Sequence, residues 1–267
     1  MVQVDLITGF LGAGKTTFLR RYAAWWAGQG VKVCVLENDF GAVNVDAMLL
    51  QDLEAQGVEL ETISGGCDCD THQRRMRTKL ISMAMRGFDR VVIEPSGIFD
   101  VDEFFDVLRD EPLDRWYRLG NVIAIVDALL PEELSPQAEY ILASESAWAG
   151  SVLLSRCQLA SDAQKQGAEA HLARALEACK CSRKFGPEEI DCEGLGRFDR
   201  RRYGPHRKVR LSAGQLRKAP LRRARCFHLG LLPRAGPAPR SAGKEHPVPL
   251  HRSRLRKRPP GERLRGG

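Results

Sequence analysis

Gly9-Phe10-Leu11-Gly12-Ala13-Gly14-Lys15-Thr16-Thr17 decides how the rest of this chain is read. It matches the phosphate-binding pattern G-x-x-x-x-G-K-[ST], the P-loop. Val2 to Ile7, before it, read as a short β-branched strand, and Thr16 to Ala27, after it, as a helix. That strand–loop–helix context is what the pattern requires. Gly12 and Gly14 lack Cβ, so the backbone there can curl and aim successive N–H groups at phosphate oxygens. The positive end of the following helix adds to that field. Lys15 would neutralise the β- and γ-phosphates, and the Thr16 hydroxyl would hold Mg²⁺. Glycine-rich turns also occur without ligands, but Lys-Thr-Thr in register selects the nucleotide-phosphate reading. Gly9, Gly12, Ala13, Gly14, Lys15, Thr16 and Thr17 are the candidate cradle.

Working outward, the 267 residues allow one sizeable domain and a smaller one. No apolar run of membrane-spanning length occurs, and the first strand starts too early for a signal peptide. The eight cysteines, beside a nucleotide motif, suggest thiols and metal ligands rather than disulfides. The expectation is a cytoplasmic protein with no membrane partner. The net charge of +7 hides an uneven distribution. Residues 197–267 carry 22 basic and three acidic side chains, a net of +19, which leaves −12 on residues 1–196. An acidic globular body is followed by a strongly basic tail, and the two need separate explanations.

Along the body, strands and helices alternate. The first helix has a broad apolar face of Phe18, Leu19, Tyr22, Trp25 and Trp26. Val31 to Leu36 is apolar nearly throughout, as buried parallel strands are, which makes Cys34 a small core residue. At its carboxyl end stands Glu37-Asn38-Asp39-Phe40-Gly41, with Asp46 beyond, placed to meet a Mg²⁺–phosphate group or simply to form an acidic turn. A helical piece around Met48 to Ala55 and a strand from Val58 to Ile63 lead to Ser64-Gly65-Gly66-Cys67-Asp68-Cys69-Asp70. Two thiols in C-x-C spacing suit Zn²⁺ or Cu⁺, with Asp70 and His72 as harder donors. The same spacing also fits two inert exposed thiols. A basic helix (Thr71 to Gly87) precedes Asp89 to Glu94, an apolar strand ending in a carboxylate, the form of a Walker B element. A helix from Val101 to Leu108, a strand from Asn121 closing on Asp127, a helix from Glu133 to Trp148 and a strand from Gly150 to Leu154 complete the series. The alternation specifies an α/β fold, a doubly wound and mostly parallel sheet with helices on both faces.

Taken in order, these residues resemble the CobW family of P-loop GTPases, proteins of metal insertion and trafficking. The resemblance rests on Gly9 to Thr17, Glu37 to Gly41 with Asp46, Gly66-Cys67-Asp68-Cys69, Glu94-Pro95-Ser96-Gly97 and Val122 to Asp127, and it covers residues 2 to 160. It implies binding and hydrolysis of GTP with Mg²⁺. It also implies a C-x-C loop that holds Zn²⁺ or another divalent transition metal near the nucleotide, for delivery to a client metalloprotein. On that reading Lys15, Asp39 and Glu94 are catalytic, and Thr16, Glu37, Cys67, Cys69 and Asp70 are the metal ligands.

Three departures stand out. The family's metal loop reads G-C-x-C-C, and its last cysteine is Asp70 here, an oxygen donor that weakens soft-metal binding. Ala42 stands where the family often has an acidic residue. The guanine-reading N-K-x-D element is represented by Ser155-Arg156-Cys157-Gln158. Gln158 offers guanine one acceptor where Asp offers two, while Arg156 can still cover the base.

Ser161 to Cys181 read as a helix finishing the domain, and Cys179-Lys180-Cys181 repeats the C-x-C spacing at its end. The P-loop domain is thus expected over 1–190. From 191 to 267 follows an Arg/Pro/Gly-rich tail without apolar periodicity. It reads as disordered, either able to bind nucleic acid through its charge or the frame-shifted remnant of a second domain. The leading function is a GTP-hydrolysing metallochaperone. The alternative is a nucleotide-binding regulatory module without hydrolysis or metal transfer.

Overall fold

The computed structural model describes residues 1–10, 12–39, 51–64, 69–95 and 101–192. Seven strands form one sheet: β1 (Val2–Gly9), β2 (Val33–Asp39), β3 (Glu59–Ser64), β4 (Arg90–Glu94), β5 (Tyr117–Asp127), β6 (Ser151–Ser155) and β7 (Ile190–Asp191). Their order is β3-β2-β4-β1-β5-β6-β7, and every neighbouring pair is parallel. The helices are α1 (Lys15–Ala27), α2 (Cys69–Met85), α3 (Val101–Arg109), α4 (Leu113–Trp116), α5 (Pro136–Ala147) and α6 (Asp162–Ala178). This is the doubly wound α/β fold that the alternation specifies. The chain leaves β1 for β2 and β3 on one side, returns to insert β4, and then crosses β1 to build β5, β6 and β7. Ligands in such sheets sit at the carboxyl ends of the strands near that reversal, and the P-loop follows β1 there.

Burial on both faces accounts for the apolar strands. On β2, Cys34 and Leu36 join one core with Leu6, Ile93, Leu80 and Phe104, while Val33 and Val35 join the other with Phe18, Leu19 and Tyr22 of α1. That is the period of two expected of a strand. Cys34 is a core residue as its position predicts, and burial pushes its thiol up to about 12. A third cluster packs α5 and α6 on β5 and β6, through Leu142, Leu172, Val126 and Leu154.

Several boundaries differ from the sequence reading, each for a local reason. The piece expected to be helical up to Ala55 is a 3-10 turn over Gln51–Gln56. β5 begins at Tyr117 rather than Asn121, because its polar start pairs with β1 and is satisfied from within, Asn121 N–H donating to Asp5 at 2.7 Å. α5 starts at Pro136, since Ser135 caps it by accepting from Ala138 N–H and proline favours the first helical turn. α6 starts at Asp162 under a capping box of Ser161 and Gln164, and ends at Ala178. The two-residue β7 carries too little pattern to be read in advance. The expected basic tail, beyond Cys192, lies outside the described residues.

Candidate nucleotide-phosphate site

The cradle is built where β1 runs out. Gly9, Gly12 and Gly14 have φ of 137°, 79° and 94°, all in the region that favours glycine. Gly9 also has no room for a side chain: a Cβ there would stand 2.3 Å from the Ile125 carbonyl oxygen of β5. Gly14 is the N-cap of α1, so the positive end of that helix opens on the loop.

Lys15 is only 7% exposed, yet it carries an ammonium. Its Nζ donates to the carbonyls of Gly9 at 2.8 Å and Phe10 at 3.3 Å, which curls the side chain back over the loop. Two neutral carbonyls are thin compensation for a buried cation, and an anion in the cradle would complete it. Next to it, Thr16 Oγ1 donates to Glu94 Oε1 at 3.0 Å. The second residue of α1 is thereby tied to the last residue of β4. Glu94, at the end of β4, and Glu37, two residues before the end of β2, are register partners, and both are buried. Two carboxylates at one level beside a threonine hydroxyl form an oxygen-rich donor set that suits a hard cation such as Mg²⁺.

The base-reading stretch is organised differently from its sequence reading. Ser155 is buried at the end of β6, against Gly14: a Cβ on Gly14 would lie 3.8 Å from the Ser155 Cβ. Its hydroxyl has no hydrogen-bond partner among the described residues. Arg156 has a φ of 57°, unusual for a residue with a Cβ. Its guanidinium forms an ion pair with Asp127 at the end of β5 and donates to the Gly12 carbonyl at 3.0 Å. In this state Arg156 bridges β5 to the P-loop, a role the motif did not suggest. Gln158 lies in the turn that follows, with Ala13 buried beneath the loop and Thr17 within α1.

The candidate soft-metal loop is only partly described. Cys67 lies outside the described residues. Asp39 closes β2, and Cys69 and Asp70 open α2, but their side chains are not described. His72, one turn into α2, is buried, and desolvation with a contribution from Arg75 holds its imidazole below the usual pKa. That shift favours the neutral form, in which imidazole binds metals. Among the described residues no group of three or more His, Cys, Asp or Glu is placed to hold an ion. Cys179 and Cys181 pack as half-buried residues against the α5–α6 cluster rather than standing at an exposed helix end.

Glu145 of α5 is a buried carboxyl at the base of the loop that the sequence reading passed over as a polar helix residue. The signal was its spacing: it stands three residues after Leu142, on the face α5 buries.

Residues 3–183 match the family model for the CobW/HypB/UreG nucleotide-binding domain. Among characterised proteins, the chain is 35% identical over 174 residues to zinc chaperone YjiA of Escherichia coli, covering 61% of this chain and 52% of that protein. It is 36% identical over 141 residues to zinc chaperone YeiR of the same organism, covering 52% and 42%. It is 28% identical over 148 residues to zinc-regulated GTPase metalloprotein activator 1 of Dictyostelium discoideum, covering 47% and 30%. The chain therefore spans about half or less of the length of these relatives. A solved structure of Zn(II)-bound YjiA GTPase aligns with 26% identity and a TM-score of 0.42, over 64% of this chain and 54% of that one. On the family match, the chain belongs to the CobW/HypB/UreG nucleotide-binding family.

Proposed function

We propose that this chain binds and hydrolyses GTP and couples its nucleotide state to the binding and delivery of Zn²⁺ or a related divalent metal. The observation that carries the nucleotide half is the buried Lys15 ammonium, held over a glycine cradle with two carbonyls as its hydrogen-bond partners among the described residues. In this reading the amides of Gly12, Ala13 and Gly14 and the helix start at Thr16 and Thr17 receive the phosphates, and Lys15 meets the bridging oxygen. Mg²⁺, when bound, would neutralise charge developing on the transferred phosphoryl group, and Thr16 is the residue to hold it. Glu94, already at hydrogen-bond distance from Thr16, and Asp39 would orient the attacking water and the ion's own water shell. Ser155, Arg156 and Gln158 would frame the base.

The metal half rests on the donor chemistry of Cys67 and Cys69, with Asp70 and Glu37 as the harder ligands, and on relatives named as zinc chaperones. A client metalloprotein is the implied recipient. The chain's place is the cytoplasm, where thiols stay reduced. No helix among the described residues is long and apolar enough to cross a membrane. The functional domain ends near residue 190 in this reading, and the basic tail is dispensable for nucleotide binding.

The test is Zn²⁺ affinity by chelator competition, in GDP and in a non-hydrolysable GTP analogue, alongside GTP turnover. Coupling predicts tighter Zn²⁺ binding with the analogue by about 5–150-fold, and loss of that factor when Cys67 and Cys69 are both replaced by Ser. Equal affinities would contradict metal coupling, and absent turnover would leave the nucleotide-binding module alone.

A further inference from the structure

The carboxyl of Glu145 is 3% exposed, and its Oε2 has no hydrogen-bond partner among the described residues. The end of α5 that carries it is fixed to the strand feeding the P-loop, since Thr8 Oγ1 donates to the Glu145 backbone carbonyl at 2.8 Å. The Gly9 backbone N–H faces the side chain and favours its charged form. Gly9 therefore stands between the two groups, its N–H toward Glu145 and its carbonyl accepting from Lys15 at 2.8 Å. It also cannot move aside toward β5, because the Ile125 carbonyl already fills the space where a Cβ would be. An acid and the phosphate-binding lysine thus share one immobile residue.

We propose that Glu145 is a positioning residue for the phosphate cradle, whose buried carboxyl faces Gly9 and, when ionised, competes with bound phosphate for the charge of Lys15. The proposal rests on the nucleotide reading of the site. Among the described residues Lys15 is the charged group that acts on this carboxyl. From α6, His171 pairs with Glu139 near the start of α5, and Thr8 and Gly9 of β1 contribute neutral dipoles.

Burial pushes Glu145 up to about 8, against the pull of Lys15 and of the Gly9 N–H. Below that pH the neutral acid leaves the field of Lys15 to the phosphate. Above it the carboxylate takes up part of that field. A phosphate in the cradle disfavours the carboxylate further, so binding at the higher pH takes up a proton. Affinity is then full below about 8 and falls as pH rises through it.

The experiment uses the full chain and a fluorescent GDP, titrated from pH 6.5 to about 9, for wild type and Glu145→Gln. Glutamine keeps the size of the side chain and a carbonyl oxygen, and cannot ionise. Wild type is expected to lose about fivefold in affinity across the range, the part of a tenfold total that a one-unit rise of the carboxyl in the complex gives by about pH 9. Glu145→Gln is expected to show a flat profile. Both proteins see the same nucleotide, so any titration of GDP itself cancels. A second readout needs no variant: calorimetry of wild type at about pH 8.5, in two buffers of different ionisation enthalpy, should show fractional proton uptake on binding. Binding with parallel profiles, or without proton uptake, would overturn the role of Glu145. Absence of binding by both proteins at every pH would end the nucleotide reading and this proposal with it.

Discussion

The two ends of the sheet both bury charge, and they treat it in opposite ways. At the amino end, Asp5 of β1 is fully enclosed and forms an ion pair with Arg90 of β4. It also accepts from the Tyr22 hydroxyl at 2.7 Å and the Asn121 N–H at 2.7 Å, and Asn121 Nδ2 donates in turn to Tyr22 at 2.9 Å. The Arg90 guanidinium donates to the Gln3 side chain and stacks on the Trp26 ring at 3.8 Å. Every partner comes from the protein. At the carboxyl end, Lys15 has two carbonyls, and Glu145 and Ser155 each keep a buried oxygen with no hydrogen-bond partner among the described residues. A closed network of this kind fixes strand register, whereas an open one is arranged around something that is still to arrive. An open hollow of about 480 Å³ lies at the amino end, lined in part by Gln3, Trp26, Arg90 and Arg118. Of these, Gln3, Trp26 and Arg90 belong to the network, in which the Trp26 indole N–H has no hydrogen-bond partner among the described residues, and sheets of this type bind ligands at the other end.

The largest expected effect breaks the closed end. Asp5→Ala strands Arg90 without its counter-ion and should cost about 3–5 kcal/mol of unfolding free energy in urea. The folded fraction should keep its nucleotide affinity, because nothing at the carboxyl end is touched.

Gly9→Ala comes next and blurs the distinction between the two ends. The added methyl meets the Ile125 carbonyl in a backbone conformation that L residues rarely adopt, so about 1–3 kcal/mol of stability should be lost. Nucleotide affinity should fall as well, since the loop that Lys15 bonds to must shift. Loss of stability with affinity intact would show that the cradle does not depend on Gly9.

The smallest effect sharpens the account of the base. Gln158→Asp restores a carboxylate that can accept both guanine N–H groups, and the preference for GTP over ATP should widen by about tenfold, or ~1.4 kcal/mol. Competition between the two nucleotides reads it directly, and an unchanged ratio would mean that Gln158 does not face the base.

Legibility in the sequence followed the range of the contacts. The P-loop, the core strands and the Glu94 placement were readable because each depends on neighbours within one strand–turn–helix unit or on a simple apolar period. Arg156 was read as a base cover, and its ion pair with Asp127 and bond to Gly12 were not visible. Those partners are 29 and 144 residues away in sequence. Glu145 was missed for a related reason: Ser144-Glu145-Ser146 reads as a polar stretch, and only packing of α5 on β1 turns the middle residue inward. Asp5 likewise breaks an apolar strand in the sequence, and its partners come from α1, β4 and β5.

The central claim is that the carboxyl end of the sheet serves a nucleotide and the amino end serves the fold. A pair of variants in the full chain tests it most directly: Lys15→Met and Arg90→Met, each measured for urea stability without nucleotide and for GDP affinity under native conditions. Lys15→Met should lose at least about 100-fold in affinity, the order expected for charge-assisted hydrogen bonds to phosphate, with stability unchanged or raised by removal of a poorly compensated buried charge. Arg90→Met should lose about 3–5 kcal/mol of stability and keep its GDP affinity. Retained affinity in Lys15→Met, or an affinity loss in Arg90→Met as large as that in Lys15→Met, would contradict the division of labour between the two ends.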